Sequence, residues 1–240
     1  MPLLRQVMAH TRRLVFFGGA GVSTASGIPD FRSPNGLFRQ GEEGPDPEMM
    51  LSKSFFYLHP AAFFDFYRTH MLYPDAQPNA AHRWLYEMER RDVLRGIVTQ
   101  NIDGLHKLAG NRRVYEIHGS VHDNACMDCG ALYPLKTVLE AAGIPRCSRC
   151  GGVIKPSVVL YGEAPDPYVC IGACREISQA DTLIVAGTSL SVEPAASFLG
   201  YFCGKALVVI NQTATPADRR AALVIRGDVA RVLGALSEGE

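Results

Sequence analysis

The chain has 240 residues, a formal net charge of zero and 47% hydrophobic residues. That length supports one substantial core, or a large domain with a smaller insert, and that composition excludes a disordered chain. Charge neutrality argues against a surface that grips a polyanion, no apolar run approaches membrane-spanning length and the N-terminus lacks a signal-peptide core; a cytoplasmic protein with no nucleic-acid or membrane partner is expected.

Residues 2–13 carry a weak helical pattern. Residues 14–17, LVFF, read as a short buried strand. Gly18, Gly19 and Gly21 follow, with only Ala20 between them. Glycine lets the backbone turn sharply and approach a ligand, and such a turn aims free N–H groups at an anion, usually a phosphate. Gly19 and Gly21 fit the dinucleotide fingerprint G-x-G-x-x-G. Thr24 takes the third glycine's place, however, and the acid expected about twenty positions on falls at Arg39 to Gly41. Instead the chain runs into Asp30-Phe31-Arg32. An acid, an aromatic ring and a guanidinium after a phosphate turn point to chemistry on the nucleotide itself.

Residues 35–49 are rich in Gly, Pro and acids and read as a mobile loop, a candidate lid. From Pro60 the pattern is helical, with Phe63, Tyr67 and Met71 every fourth position and Phe66 beside them. Tyr73-Pro74-Asp75 ends that helix. Asn79 caps the next, whose buried face carries Ala81, Trp84, Leu85 and Met88, and Gly96 closes it.

Four further short apolar runs read as strands: residues 97–99, 114–117, 182–186 and 206–210. They end at Gln100-Asn101-Ile102-Asp103, His118-Gly119-Ser120, Gly187-Thr188-Ser189 and Asn211. With residues 14–17 that makes five strands, most of them separated by helical stretches, including 194–204 with Ala195, Phe198 and Phe202 on one face. The expected fold is α/β with a parallel sheet, and ligands of such sheets bind outside the carboxyl ends of the strands.

Between His118 and Pro156 the periodicity stops. Cys126-x-x-Cys129 and Cys147-x-x-Cys150 are separated by 17 residues, the zinc-ribbon spacing. Each C-x-x-C turn presents two thiolates, and four complete a tetrahedron with no open position for water, so the metal is expected to be structural. Cys170, Cys174 and Cys203 lack this pairing, and the first two read as small core residues.

These motifs together resemble the sirtuin family of NAD-dependent protein deacylases, bacterial members above all. The resemblance spans nearly the whole chain. It rests on G-A-G-V-S at 19–23, G-I-P-D-F-R at 27–32, T-Q-N-I-D at 99–103, H-G-S at 118–120, the four cysteines, G-T-S-L at 187–190 and Asn211. It implies a Rossmann-like domain of residues 1–36, 81–119 and 157–240. It also implies a small domain made of a helical insert, 37–80, and a zinc module, 120–156. NAD and an acyl-lysine peptide would meet between them, and the chain is expected to be a monomer. The implied reaction passes the acyl group from lysine to ADP-ribose through an O-alkylamidate and releases nicotinamide.

The resemblance also implies roles. A general base needs a pKa near the working pH, which suits histidine, and His118 is the candidate. Ile102 and Asp103 would hold the nicotinamide amide, Asn101 would orient a water and the ribose, and Gln100 would bind ribose hydroxyls. Gly19, Ala20, Gly21, Thr24, Asp30, Phe31 and Arg32 would line the phosphate and nicotinamide region. Gly187, Thr188, Ser189 and Asn211 would bind the phosphate and adenosine end, with Asp228 and Val229 near adenine. The peptide would add as a strand between Val159, Leu160, Tyr161 and Gly162 on one side and Val192 on the other. Two departures bear on specificity. Leu160 replaces an aromatic residue that many members carry. Tyr67 is followed three positions on by His70, where members that prefer acidic acyl groups have arginine, so a neutral acyl group is expected. The other histidines, at 10, 59, 70, 82, 106 and 122, read as surface or helix positions. The alternatives are mono-ADP-ribosyl transfer, removal of longer acyl chains, a hydride-transferring dehydrogenase and a zinc-ribbon nucleic-acid binder.

Overall fold

The computed structural model describes residues 1–31, 36, 46–191 and 195–237. Helix α1 (Pro2–His10) leads into β1 (Leu14–Gly18). The helices α2 (Pro47–Met50), α3 (Lys53–Leu58) and α4 (Pro60–His70) form an insert, and α5 (Ala80–Arg90) returns the chain to β2 (Leu94–Thr99). Helix α6 (Leu105–Leu108) and β3 (Val114–Glu116) follow. The cysteine-bearing module contains β4 (Gly119–Cys126), β5 (Leu132–Pro134), α7 (Leu135–Glu140) and β6 (Ile154–Val158). Helix α8 (Pro167–Gln179), β7 (Thr182–Ala186), a 3₁₀ segment (Ala195–Tyr201), β8 (Ala206–Ile210), β9 (Leu223–Ile225) and α9 (Val229–Ser237) complete the chain.

Six strands form one parallel sheet in the order β3-β2-β1-β7-β8-β9. Counted within the sheet, this is 3-2-1-4-5-6, the doubly wound order, and the winding reverses between β1 and β7. Strands covered on both faces must be continuously apolar. Every residue of β1 and β7 is buried. One face packs Phe16, Ile184 and Val208 against Leu4 of α1, Trp84 and Leu85 of α5 and Leu233 of α9. The other packs Val15, Phe17 and Val209 against Ile177 of α8 and Phe198 and Phe202.

Three sequence expectations need correction. Gly96 does not close the helical region ahead of the strand; it lies inside β2, opposite Val15, and that strand already begins at Leu94. Residues 195–201 form 3₁₀ turns where an α-helix was expected. The sixth strand, β9, is only three residues long, too short for a periodic signal, and gains its place by pairing with β8. Most of the expected mobile loop, residues 35 and 37–45 of 35–49, lies outside the described residues, as do 32–34.

The insert and the module share one core. Leu51, Phe56, Phe63, Phe64 and Tyr67 pack on Val121, Leu135, Val138, Val158 and Leu160. The Arg68 Nε–H donates to the Val138 carbonyl at 2.8 Å, across the same seam. Strands β4 and β6 pair antiparallel and include the pair Gly119–Val158, so their ladder runs from the rim of the large sheet into the module.

Candidate active site

The strand register builds the site. Gly18 of β1 is level with Thr99 of β2 and with Ala186 of β7, which is level with Ile210 of β8. Four chain segments therefore leave one ledge together, at the point where the winding reverses. Two of them cross backbone on backbone. A Cβ on Gly19 would sit 2.8 Å from the Gly187 carbonyl oxygen, and one on Gly21 would sit 2.8 Å from Gly187 Cα. Gly187 itself has φ +61°, and its own Cβ would lie 2.6 Å from the Val22 nitrogen. Only glycine permits this approach. The crossing opens onto a cavity of about 640 Å³, lined by backbone of the glycine turn and by side chains from both sides of the molecule.

On the sheet side the side chains are tied to one another. Asp103 accepts the Ser23 hydroxyl at 2.6 Å and the Leu105 N–H at 2.9 Å. The Asn101 amide donates to the same Ser23 oxygen at 3.0 Å, and Gln100 Nε2 donates to the Thr188 hydroxyl at 2.9 Å. Burial raises the Asp103 pKa, and the Ser23 hydrogen bond opposes that rise. Ser23 stands in the G-A-G-V-S motif, but its bond to a residue 80 positions away cannot be read from spacing.

His118 is half-buried at the end of β3. Its Nδ1 lies 3.0 Å from the Gln100 carbonyl oxygen. A carbonyl only accepts, so Nδ1 carries the proton and Nε2 keeps the lone pair of the neutral ring. Burial lowers the His118 pKa below 6.5, with the Gln100 bond pulling the other way. The ring is therefore neutral at pH 7. The next residue, Gly119, has φ +76°, and a Cβ there would lie 1.8 Å from the Ser157 carbonyl oxygen. The chain must turn there to bring the Val159 N–H onto the His118 carbonyl at 2.9 Å.

The opposite wall comes from the insert and the module. Val159, Leu160, Tyr161 and Gly162 line the cavity, with Tyr67, His70, Met71, Leu135 and Val158. The insert clamps this strip: the Tyr161 N–H donates to Leu51, and the Lys53 N–H donates to Tyr161. Glu163 accepts the Leu160 N–H at 3.0 Å and pairs with Lys155 at 3.1 Å. Tyr67 stacks on Phe63 at 5.5 Å and is fully buried. His70 packs on Phe66 at 4.6 Å.

The cavity thus gathers Ala20, Gly21, Thr24, Asp30, Phe31, Gln100, Asn101, Ile102, Asp103, His118, Gly187, Thr188, Ser189, Asn211 and Val229 from the sequence-derived set. Gly19 is not in its wall but supports it through the contact with Gly187. Asp228 is also off the cavity. It caps α9, accepting the Arg231 N–H at 2.8 Å. Arg32 and Val192 lie outside the described residues.

Two histidines lie at helix positions, as expected, but on faces buried behind this site. His82 on α5 and His106 on α6 have their rings 4.6 Å apart, and both are shut off from solvent. The His82 Nδ1 accepts the Asn79 N–H, while its Nε2 and both His106 nitrogens have no protein partner. Burial lowers the His82 pKa to about 4, and His106 also falls well below 6.5. A folded pKa below the unfolded one means that the unfolded chain binds more protons in between. Stability from these groups is present at pH 7 and is lost as pH falls from 6.5 toward 4. For His82 alone the loss at pH 5 is about 2 kcal/mol. Urea midpoints at pH 7 and pH 5 should show it, and the drop should shrink in His106→Phe. Equal drops in the two proteins would contradict this account.

In the module, the Sγ atoms of Cys126, Cys129, Cys147 and Cys150 all lie within 4.8 Å of one another. Cys126 and Cys150 are 3.4 Å apart at sulfur, and Cys129 and Cys147 are 3.6 Å apart. A zinc tetrahedron with bonds near 2.3 Å has edges of about 3.8 Å, so the donor set fits. The Tyr133 hydroxyl lies 3.0 Å from Cys147 Sγ, and the Arg149 N–H points to the same sulfur at 3.4 Å, the outer contacts that orient a thiolate ligand. Four thiolates would hold zinc in a closed, structural site.

Comparison with known proteins agrees with this arrangement. The family model described as the Sir2 family matches residues 19–194. A protein named NAD-dependent protein deacetylase from Clostridium perfringens is 51% identical over 233 residues, 96% of each chain. One of the same name from Cutibacterium acnes is 53% identical over 223 residues, covering 92% of this chain and 91% of its own. Among solved structures, Sir2 with p53 peptide and NAD+ superposes with a TM-score of 0.87 at 34% identity, covering 99% of this chain and 97% of that one. A Sir2 structure with deacetylated p53 peptide and 3'-O-acetyl ADP ribose gives 0.90 at 34% identity, covering 100% and 98%. Sheet order, glycine crossing, four-sulfur cluster and sequence identity converge, and the chain belongs to the Sir2 family.

Proposed function

We propose that this chain is an NAD-dependent protein lysine deacetylase, which passes the acetyl group of N6-acetyl-lysine to ADP-ribose and releases nicotinamide. The observation that carries the reading is the His118 imidazole, held at Nδ1 by the Gln100 carbonyl, in one cavity with the glycine crossing and with residues 159–162. When bound, NAD supplies a ribose carbon that becomes electrophilic as nicotinamide departs. Ala20, Gly21 and Thr24 would hold its phosphates, and Phe31 would shield the reacting sugar face. Ile102 and Asp103 bind the carboxamide. Asn101, oriented by Ser23, positions a water and the ribose, and Gln100 takes ribose hydroxyls. Thr188, Ser189, Asn211 and Val229 hold the adenosine end. His118 takes a ribose hydroxyl proton at Nε2.

The peptide adds its main chain along residues 159–162, a mode that tolerates many sequences. Among the described residues, the cavity wall beside Tyr67 and His70 holds no bidentate cation of the kind a carboxylate-ended chain needs. The chain's neutrality supports the reading that it takes no nucleic acid. Its C-x-x-C thiols in zinc spacing support a reducing, cytoplasmic setting.

The test is a mass-spectrometric assay of purified protein with an acetyl-lysine peptide, with and without NAD. Acetyl loss that requires NAD, with O-acetyl-ADP-ribose formed and a succinyl peptide at least about tenfold slower, is expected. ADP-ribosylated protein in place of O-acetyl-ADP-ribose would overturn it.

A further inference from the structure

Asn79 stands where the helical insert re-enters the large domain. Its side chain serves two elements at once. The Oδ1 atom accepts the Ala81 N–H at 2.9 Å and so caps α5. The Nδ2 atom donates to the Val22 carbonyl at 2.8 Å and to the Ser26 hydroxyl at 2.9 Å. Val22 and Ser26 end the two consecutive 3₁₀ turns of the glycine segment, Ala20–Val22 and Thr24–Ser26. Those turns carry Ala20, Gly21, Ser23 and Thr24 into the cavity wall. Asn79 is itself 8% exposed, and its own N–H is taken by His82.

A cap needs only the oxygen. Serine or aspartate caps a helix as well as asparagine does. The amide nitrogen, with both of its protons committed to the glycine segment, is surplus to capping. Short 3₁₀ turns are weakly held by their own hydrogen bonds, so an external donor on both turns fixes their curvature and, with it, the cavity wall they form.

We infer that Asn79 is a positioning residue for NAD: its amide holds the two turns of residues 20–26 in the shape that receives the dinucleotide's phosphates. The inference rests on the NAD reading proposed above. It assigns Asn79 no contact with peptide or with the reacting atoms.

The experiment separates the cap from the staple. Asn79→Ser keeps a neutral capping oxygen and loses the amide; Asn79→Ala loses both. Calorimetric titration with ADP-ribose alone reads the phosphate site without turnover, and a parallel titration with acetyl-lysine peptide reads the other wall. Asn79→Ser loses two bonds that already stand in the unliganded fold, so it should unfold at a somewhat lower temperature, with the same peptide affinity. Its ADP-ribose Kd should rise about tenfold, because the ligand must then order the loosened turns itself. Asn79→Ala should match that rise and unfold at a still lower temperature. If Asn79→Ser does not fold, Ser26→Ala removes one acceptor without touching α5, and an ADP-ribose affinity weaker by about two- to fivefold is expected, because one of the two turns is then loosened. An Asn79→Ser protein, or failing that Ser26→Ala, with unchanged ADP-ribose affinity overturns the inference. An unaltered protein that binds no ADP-ribose overturns instead the NAD reading itself.

Discussion

Replacing His118 with alanine should slow deacetylation about 10²–10⁴-fold, while the Kd for ADP-ribose stays within a few-fold of the original. The size follows from the role. The ring is held in one tautomer by the Gln100 carbonyl at 3.0 Å, so its free nitrogen is ready to take a proton. Burial keeps the ring neutral at pH 7 by lowering its pKa. A base works only when unprotonated. In the unaltered protein kcat/KM should therefore fall as pH drops through an ionisation below 6.5, and hold steady above it. That limb should be missing from the residual activity of His118→Ala. Near-normal turnover by the variant would remove His118 from the mechanism.

Cys147→Ala should release the metal and unfold the module. Cys147 is buried, its sulfur is 3.6 Å from that of Cys129, and Tyr133, Arg149 and the Cys129 side all converge on it. The cysteine end of the module has a very small core of its own, centred on Cys126, Cys147 and Ile154 with Ala131 and Tyr133 against it. Structural zinc contributes about 10–16 kcal/mol of apparent binding energy in comparable small sites, so the loss should exceed what this core supplies. Zinc content measured by atomic absorption should fall from one to near zero. Because β4 joins this end to His118 through Gly119, deacetylation should fall with it. A folded, active variant that retains a full equivalent of zinc would refute the structural role of the ion.

Much of this site was legible in the chain itself, for identifiable reasons. Glycines at 19, 21 and 187 mark close backbone approach, and the strands that precede them are short apolar runs buried on both faces, so the ledge they form could be read from type and order alone. The four cysteines announce a tetrahedral ion by spacing. What escaped were relations across long sequence separations. The bond from Ser23 to Asp103 spans 80 positions, and the buried His82–His106 pair joins two helices. A histidine on an amphipathic helix looks the same in sequence whether its face meets water or another ring. Asn79 was read as a cap, which it is. Its second job depends on where the glycine segment passes, and only the folded chain shows that.

The shared core of the insert and the module has a consequence for how the protein is made. Leu51, Phe56, Phe63 and Phe64 find their partners at Val121, Leu135, Val138 and Val158, and β1 finds one of its two neighbours only at Thr182–Ala186. As the chain leaves the ribosome, the aromatic cluster of the insert emerges well before the surface that will cover it. Non-local partners of this kind make folding slow and leave apolar surface open to wrong associations. Closure of this shared core must therefore wait until translation has passed Leu160, so burial of the Phe56–Phe63–Phe64 cluster comes only after all four sulfurs of the module have emerged.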